Sequence, residues 1–278
     1  MKNDELKSQV KNWWNGYPFT YFVKEEIGSW AFFRNVDRKI LKWMGWAQPG
    51  YPLLSGVIDY ASLKGKKVLD IACGTGWSTE QFVRAGADVT AIDLTSKAVE
   101  LTKKRLELYG LKANVLVADA EHLPFPDGNF DYVLAWGCLM HTPNTEGAVE
   151  EVYRVLKSGG RFGAMMYNKL SLHWLYYIVF GKGILKLRLL KYKLQELTNR
   201  YTDGAEIGGN MLTKFYSPTQ IKKMYGQFKD LHVSIHDSED MFDYFPHRWL
   251  PLGKLMPRFI KRWVAEHLGL DLWIAGVK

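Results

Sequence analysis

The hydrophobic pattern of this chain changes period many times. Short apolar runs of strand length recur at 68–71, 87–93, 114–118, 130–136 and 161–167, and helical spacing follows the earlier ones. Such alternation predicts an α/β fold with a doubly wound, mostly parallel sheet. Two more alternating runs, 230–236 and 270–277, predict the last strands, preceded by a helix from Pro218 capped by Ser217. Residues 5–48 read as helical and aromatic, with Trp13, Trp14, Tyr21, Trp30 and Trp43 among them. Pro18 should break the first helix, and the second should run from an N-cap at Ser29 to Met44. These aromatics either pack on a core or form a lid that stacks on a ligand.

The stretch Val68-Leu-Asp-Ile-Ala-Cys-Gly-Thr-Gly76 is the centre of the pattern, a buried strand entering a glycine turn that opens a helix near Trp77. Gly74 and Gly76 allow backbone to approach a ligand closely, and the free N–H groups of the next helix point at it. A P-loop would place Lys-Ser/Thr after the last glycine, where this chain has Trp77. The dinucleotide fingerprint wants glycine or alanine at Thr79. Asp70, just before the turn, would repel a pyrophosphate and suit an ammonium group. The turn therefore reads as a nucleoside site for a cationic cofactor without phosphates. Asp93 closes the second strand, close to the spacing of about 20 residues at which such folds place an acid on ribose hydroxyls.

Composition changes this picture little. The 278 residues are 47% hydrophobic and 24% charged, as in an ordinary globular protein with one large α/β domain. The formal net charge of +8 fits an anionic partner such as nucleic acid or lipid, or simply a soluble surface. Two cysteines, Cys73 and Cys138, suggest no disulfide framework, so a reducing, cytoplasmic setting is expected. The polar opening does not read as a signal peptide, and the longest apolar run is too short to span a bilayer. The histidines show no metal-like spacing apart from His232 and His236, four apart on an expected strand, and no metal is expected.

The motif around Asp70 and Gly74, with Asp93 after it, resembles class I S-adenosylmethionine-dependent methyltransferases. So do Asp119-Ala-Glu-His-Leu-Pro-Phe-Pro-Asp-Gly-Asn-Phe-Asp131 and Glu151-Val-Tyr-Arg-Val-Leu-Lys-Ser-Gly-Gly160. The set is most similar to the ubiquinone- and menaquinone-biosynthesis branch and covers about residues 64–168. The resemblance implies a seven-stranded Rossmann-like sheet with an antiparallel edge, S-adenosylmethionine as cofactor, and a small-molecule or lipid-like acceptor methylated by direct displacement. It puts Asp70 with the Gly74 and Gly76 backbone at the methionine end, Asp93 at the ribose, and Asp119 and Ala120 at the adenine, with Ala72, Cys73, Leu94 and Glu121 as further cofactor-binding residues. Trp136 would lie by the sulfonium, through its carbonyl or its ring face, and Tyr21 or Arg38 would cover the cofactor carboxylate. Methyltransferases of nucleic-acid amines resemble one another in an Asn/Asp-Pro-Pro-aromatic motif where this chain has Trp136-Gly-Cys-Leu139, which argues against a DNA or RNA acceptor. His141 is read as a positioning residue on a turn or as a general base. An RNA or protein acceptor, and a non-catalytic cofactor-binding subunit, stay as alternatives.

The expected organisation is a helical cap over 1–50, a cofactor-binding core over 51–168, an insertion over 169–215 and a sheet completion over 216–278. The insertion opens with aromatics and continues with Lys182, Lys186, Arg188, Lys191 and Lys193. It is expected as an aromatic helix followed by a basic amphipathic one, forming an acceptor lid, with peripheral membrane contact through 170–193 as the other reading. The sequence leaves the oligomeric state open.

Overall fold

A computed structural model describes residues 2–17, 23–47, 52–237 and 256–278. The strands are β1 (Lys67–Ile71), β2 (Asp88–Asp93), β3 (Asn114–Val117), β4 (Phe130–Trp136), β5 (Leu156–Asn168), β6 (Phe215–Tyr216), β7 (Lys229–His236) and β8 (Asp271–Val277). They form one sheet in the order β3-β2-β1-β4-β5-β8-β7, with β6 a short addition beside β5. β1 to β5 pair in parallel, whereas β8 runs antiparallel to both β5 and β7. The expected seven strands are therefore present, and the two-residue β6 is an eighth that carries no hydrophobic run of its own.

The helices are α1 (Lys2–Gly16), α2 (Trp30–Trp43), α3 (Trp77–Arg84), α4 (Ser96–Leu108), α5 (Thr145–Val155), α6 (Leu194–Tyr201), α7 (Pro218–Met224) and α8 (Arg258–Leu268). Side-chain alternation along the strands divides the core between the two faces of the sheet. Leu69, Ile71, Val133 and Ala135 pack with Ala148 and Val152 of α5 and Ile221 of α7. Val68 and Leu134 face the other way, onto Phe32 and Ile40 of α2, Phe82 of α3 and Leu101 of α4. Ser29 caps α2 by accepting from the Phe32 N–H, and Ser217 and Gln220 form a capping box on α7.

The insertion departs from expectation. Its aromatic part is a π-helix, His173–Ile184, and the basic stretch is not one amphipathic helix. Leu187 takes a left-handed φ of +53°, a 3-10 turn spans Arg188–Leu190, and α6 starts afresh at Leu194. Lys186, Arg188, Lys191 and Lys193 thus lie on a turn between helices, because one left-handed residue ends the helical path. The fifth strand also begins earlier than its apolar run, at Leu156, where Gly159 and Lys278 hydrogen-bond to close it onto the end of β8.

Two buried charges join these layers. Arg105, fully buried on α4, donates to both oxygens of Asp37 on α2 at 2.9 and 2.6 Å and to Glu80 on α3 at 2.7 Å. Removing one partner leaves a buried charge short of a counter-charge, so Asp37→Ala should destabilise the fold by about 3–5 kcal/mol. Urea unfolding measures this, and a loss under about 1 kcal/mol would mean the cluster is open to water. Asp70 is the second, only 1% exposed, with Oδ2 accepting from the hydroxyls of Ser78 (2.7 Å) and Thr79 (2.6 Å). Burial pushes its carboxyl up to about 6, against the opposing hydroxyl hydrogen bonds. The folded chain then holds this proton more tightly than the unfolded one does. Asp70 therefore favours folding most below about pH 4, and that contribution fades as pH rises to about 6, by roughly 3 kcal/mol at most. Asp70→Asn should flatten this part of the pH–stability curve, read as urea midpoints at pH 4.5 and 7; an unchanged slope would assign the titration elsewhere.

Candidate active site

The sheet order reverses between β1 and β4, and the ends of these strands bound the site. After β1, Ala72 (φ +59°), Gly74 (+57°) and Gly76 (+77°) all take left-handed backbone. A Cβ on Gly76 would come within 3.1 Å of the Thr102 backbone, so α4 packs directly against this turn. After β4, Gly137 turns at φ +63°. Two cavities open from this point.

The first, an empty volume of about 880 Å³ that includes open space, is lined by Ile71, Ala72, Gly74, Ile92, Asp93, Leu94, Ala118, Asp119 and Ala120, and by Lys7, Val10 and Trp14 of α1. Its walls are apolar at Ile92, Leu94 and Val10, with the Asp93 carboxylate beside the glycine turn and that of Asp119 just past the tip of β3. Asp93 accepts from Gly74 N–H (3.1 Å) and from the Thr95 N–H and hydroxyl (2.9 and 2.8 Å). Burial raises its carboxyl above the usual range, and these donors oppose the rise. Asp119 is engaged by an ion pair with Lys7 at 2.7 Å and by the Glu121 N–H at 2.9 Å. Burial alone would raise it, but the Lys7 hydrogen bond and charge outweigh that and hold it low.

The second cavity is larger, about 1820 Å³ with its open space, and lies under α2 and the insertion. Asp70, Trp77 and Ser78 line its inner end, and Lys39, Trp43, Tyr167, His173, Tyr176, Tyr177, Asp203, Asp237 and Asp271 line the rest. Trp14, Ala72, Gly74, Trp136 and Gly137 line both cavities, so the two meet at the ends of β1 and β4. The Trp136 ring packs among Trp46 (5.8 Å), Trp77 (6.1 Å) and Trp273 (5.7 Å).

The structure brings Asp70, Ala72, Gly74, Asp93, Leu94, Asp119, Ala120 and Trp136 together around the junction, and leaves other sequence candidates aside. Cys73 is buried against the Thr102 hydroxyl at 3.3 Å and lines neither cavity. Gly76 is the N-cap of α3 and also stays outside the lining. Glu121 supports from behind, with its carboxylate bound to Lys7, the Thr142 hydroxyl and the Asn144 N–H. Arg38 is exposed and donates to Asn35; its neighbour Lys39 is the one that reaches the second cavity, because helical rotation turns adjacent residues to different faces. Tyr21 lies outside the described residues.

His141 lines the first cavity, not the second. Its Nδ1 lies 2.7 Å from the Leu212 carbonyl, which makes it the protonated donor, and its Nε2 faces Asp203 Oδ2 at 3.5 Å. The Tyr167 hydroxyl donates to the other Asp203 oxygen at 2.9 Å. Asp203, Asp237, Asp271 and Lys7 carry no motif, and only the fold gathers them. Asp119, Glu121 and His122 converge closely enough to hold a cation, and the Lys7 ammonium already pairs with the two carboxylates.

Residues 69–164 match a family described as a methyltransferase domain. The chain is similar to the ubiquinone/menaquinone biosynthesis C-methyltransferase of Bartonella tribocorum, 36% identical over 115 residues, covering 39% of this chain and 44% of that protein. It is similar also to a sterol 24-C-methyltransferase of Gibberella zeae, 33% identical over 134 residues, covering 47% of this chain and 33% of that one. The chain thus spans less than half the length of either relative. Among solved structures, the [4+2]-cyclase SpnF shares the fold with a TM-score of 0.53 and 16% identity, over 100% of this chain and 94% of that one. That likeness speaks for the fold alone, and a cyclase on this fold shows that the reaction must be argued from the site. Residues 69–164 thus match a methyltransferase domain, and the sheet order around them agrees with that match.

Proposed function

We propose that this chain transfers a methyl group from S-adenosylmethionine to a small or lipid-like acceptor. The observation that carries the reading is the meeting of a nucleoside-shaped cavity with an aromatic one at Gly74, Trp136 and Gly137. The cofactor supplies an electrophilic sulfonium methyl, and direct displacement asks the protein chiefly for alignment and exclusion of water. Asp93 would accept from the ribose hydroxyls, Asp119 and the Ala120 backbone would meet the adenine, and the backbone at Gly74 with Asp70 would hold the methionine end. Lys7 and Trp14 roof the nucleoside from α1, so ordering of this helix and cofactor binding should support each other.

The test is direct. Wild-type protein should bind S-adenosylmethionine in calorimetry, and Asp93→Ala should lose at least about tenfold in affinity, since it removes a charged hydrogen-bond acceptor. An unchanged affinity with an unchanged fold by circular dichroism removes Asp93 from the site. Absence of any binding by the wild type removes the whole reading.

A lipid-like acceptor is favoured by the outer edge of the insertion. Leu185, Leu187 and Leu190 are 64, 66 and 84% exposed, and they interleave with Lys186, Arg188, Lys191 and Lys193. Apolar tips among cations suit an anionic bilayer surface, and the adjacent π-helix forms a wall of the acceptor cavity. No helix among the described residues is long and apolar enough to cross a membrane. Cosedimentation with vesicles containing phosphatidylglycerol should exceed that with neutral vesicles and fall in high salt, and Leu187→Glu with Leu190→Glu should abolish it. Equal recovery by the double variant would assign these leucines another role.

A further inference from the structure

The helix α8 (Arg258–Leu268) lines neither cavity, yet its outer face carries large rings. Phe259 and Trp263 lie four residues apart, on one face, and are 74 and 56% exposed. A helix on a protein surface ordinarily turns such groups inward. The inner side of α8 already has its packing: Ala265 is buried against Leu172, Met256 and Val264, and the helix lies along β7. The two outward rings are therefore not needed to hold the helix down. Trp263 stacks on the exposed His267 at 4.6 Å, which orients the indole without covering it.

Cations accompany these rings. Arg258, Lys261 and Arg262 stand beside them, and Glu266 is the one acid of the helix, so α8 carries two positive charges in excess. The first turn holds no acidic side chain and no side-chain cap, so its backbone also favours an anion. Arg262 pairs with Glu266 at 2.8 Å, but both are exposed, and such a pair contributes little in water. Arg262 can therefore exchange that partner for a phosphate.

We propose that α8 is a docking helix for an anionic lipid bilayer. Phe259 and Trp263 enter the headgroup region, and Arg258 and Arg262 meet lipid phosphates. This contact is separate from the leucines of the insertion, and it needs neither the cofactor site nor the reaction. The two rings expose on the order of 300 Å2, well under the roughly 800 Å2 per partner of a stable protein interface, which speaks against a second copy of this chain. Single-stranded nucleic acid is held in grooves, whereas α8 offers the outward face of one helix. Through Leu172, α8 packs on the start of the π-helix that walls the second cavity, so the docking helix and that wall are joined.

The experiment measures cosedimentation of the full chain with phosphatidylglycerol and with phosphatidylcholine vesicles. Phe259→Ser with Trp263→Ser should lose at least about tenfold in affinity for the anionic vesicles. Arg258→Gln with Arg262→Gln should weaken the salt dependence and leave any affinity for the neutral vesicles unchanged. These positions are exposed, and circular dichroism checks that both variants keep the fold. Vesicles with brominated acyl chains should quench the fluorescence of the wild type more than that of Trp263→Phe. An unchanged affinity of the ring variant for anionic vesicles overturns the proposal, as does equal quenching of wild type and Trp263→Phe. Loss of single-stranded oligonucleotide binding, or of a dimer in sedimentation equilibrium, in place of vesicle binding also overturns it. If Leu187→Glu with Leu190→Glu abolishes binding and the ring variant does not weaken it, α8 is not a docking helix. If the reverse holds, α8 stands and the leucines do not. A wild type that binds no anionic vesicle removes both contacts, and the cofactor titration is unaffected by either result.

Discussion

Everything at this site follows from a crevice that the sheet cannot close. β1 crosses over to β2 on one side and β4 crosses over to β5 on the other. Right-handed crossovers running in opposite directions send α3 and α5 to opposite faces. The core records this split, with Phe82 of α3 in one cluster and Ala148 and Val152 of α5 in the other. Neither α3 nor α5 fills the gap between these strand ends, so backbone and carboxylates at that edge line the two cavities. Gly74 and Gly137 stand on the two sides of the gap, each in left-handed backbone.

Placing charge at such an edge costs stability, and the structure offsets the cost with neighbours of low entropy. Asp70 and Asp93 are both raised by burial, yet the Ser78 and Thr79 hydroxyls hold Asp70, and the Thr95 hydroxyl with the Gly74 and Thr95 N–H groups holds Asp93. Arg105 joins α2, α3 and α4 through Asp37 and Glu80, which fixes the helices that back the glycine turn. Lys7 does similar work from the front, joining α1 to Asp119 and Glu121. The N-terminal helix is thus part of the site and not a separate decoration.

The second cavity is built differently. Its walls come from α2, the π-helix, the loop at Asp203 and the ends of β7 and β8, which are far apart in the chain. None of the family match, confined to residues 69–164, extends to those elements beyond β5. The stretch that matches the family thus holds the first cavity's strand ends and leaves most of the second cavity's walls outside it.

The sequence by itself determined the parallel core and the glycine turn at its edge. Strand and helix periods, the Gly74/Gly76 turn and the acids ending β1 and β2 are local features, set by residues a few positions apart, and so they can be read without knowing the fold. Boundaries slipped where local signal fades: Leu156 joins β5 ahead of its apolar run, and Leu187 ends a helix that composition alone would continue. Arg38 points away from both cavities while Lys39 reaches one, because helix rotation against a cavity is not visible in a sequence. Only tertiary structure decided the rest. The pairing of Lys7 with Asp119, of Arg105 with Asp37, and the gathering of Asp203, Asp237 and Asp271 around one volume join residues 34 to 112 positions apart. Contacts at that separation depend on how the sheet orders its strands and where the helices settle, and no periodicity along the chain encodes them.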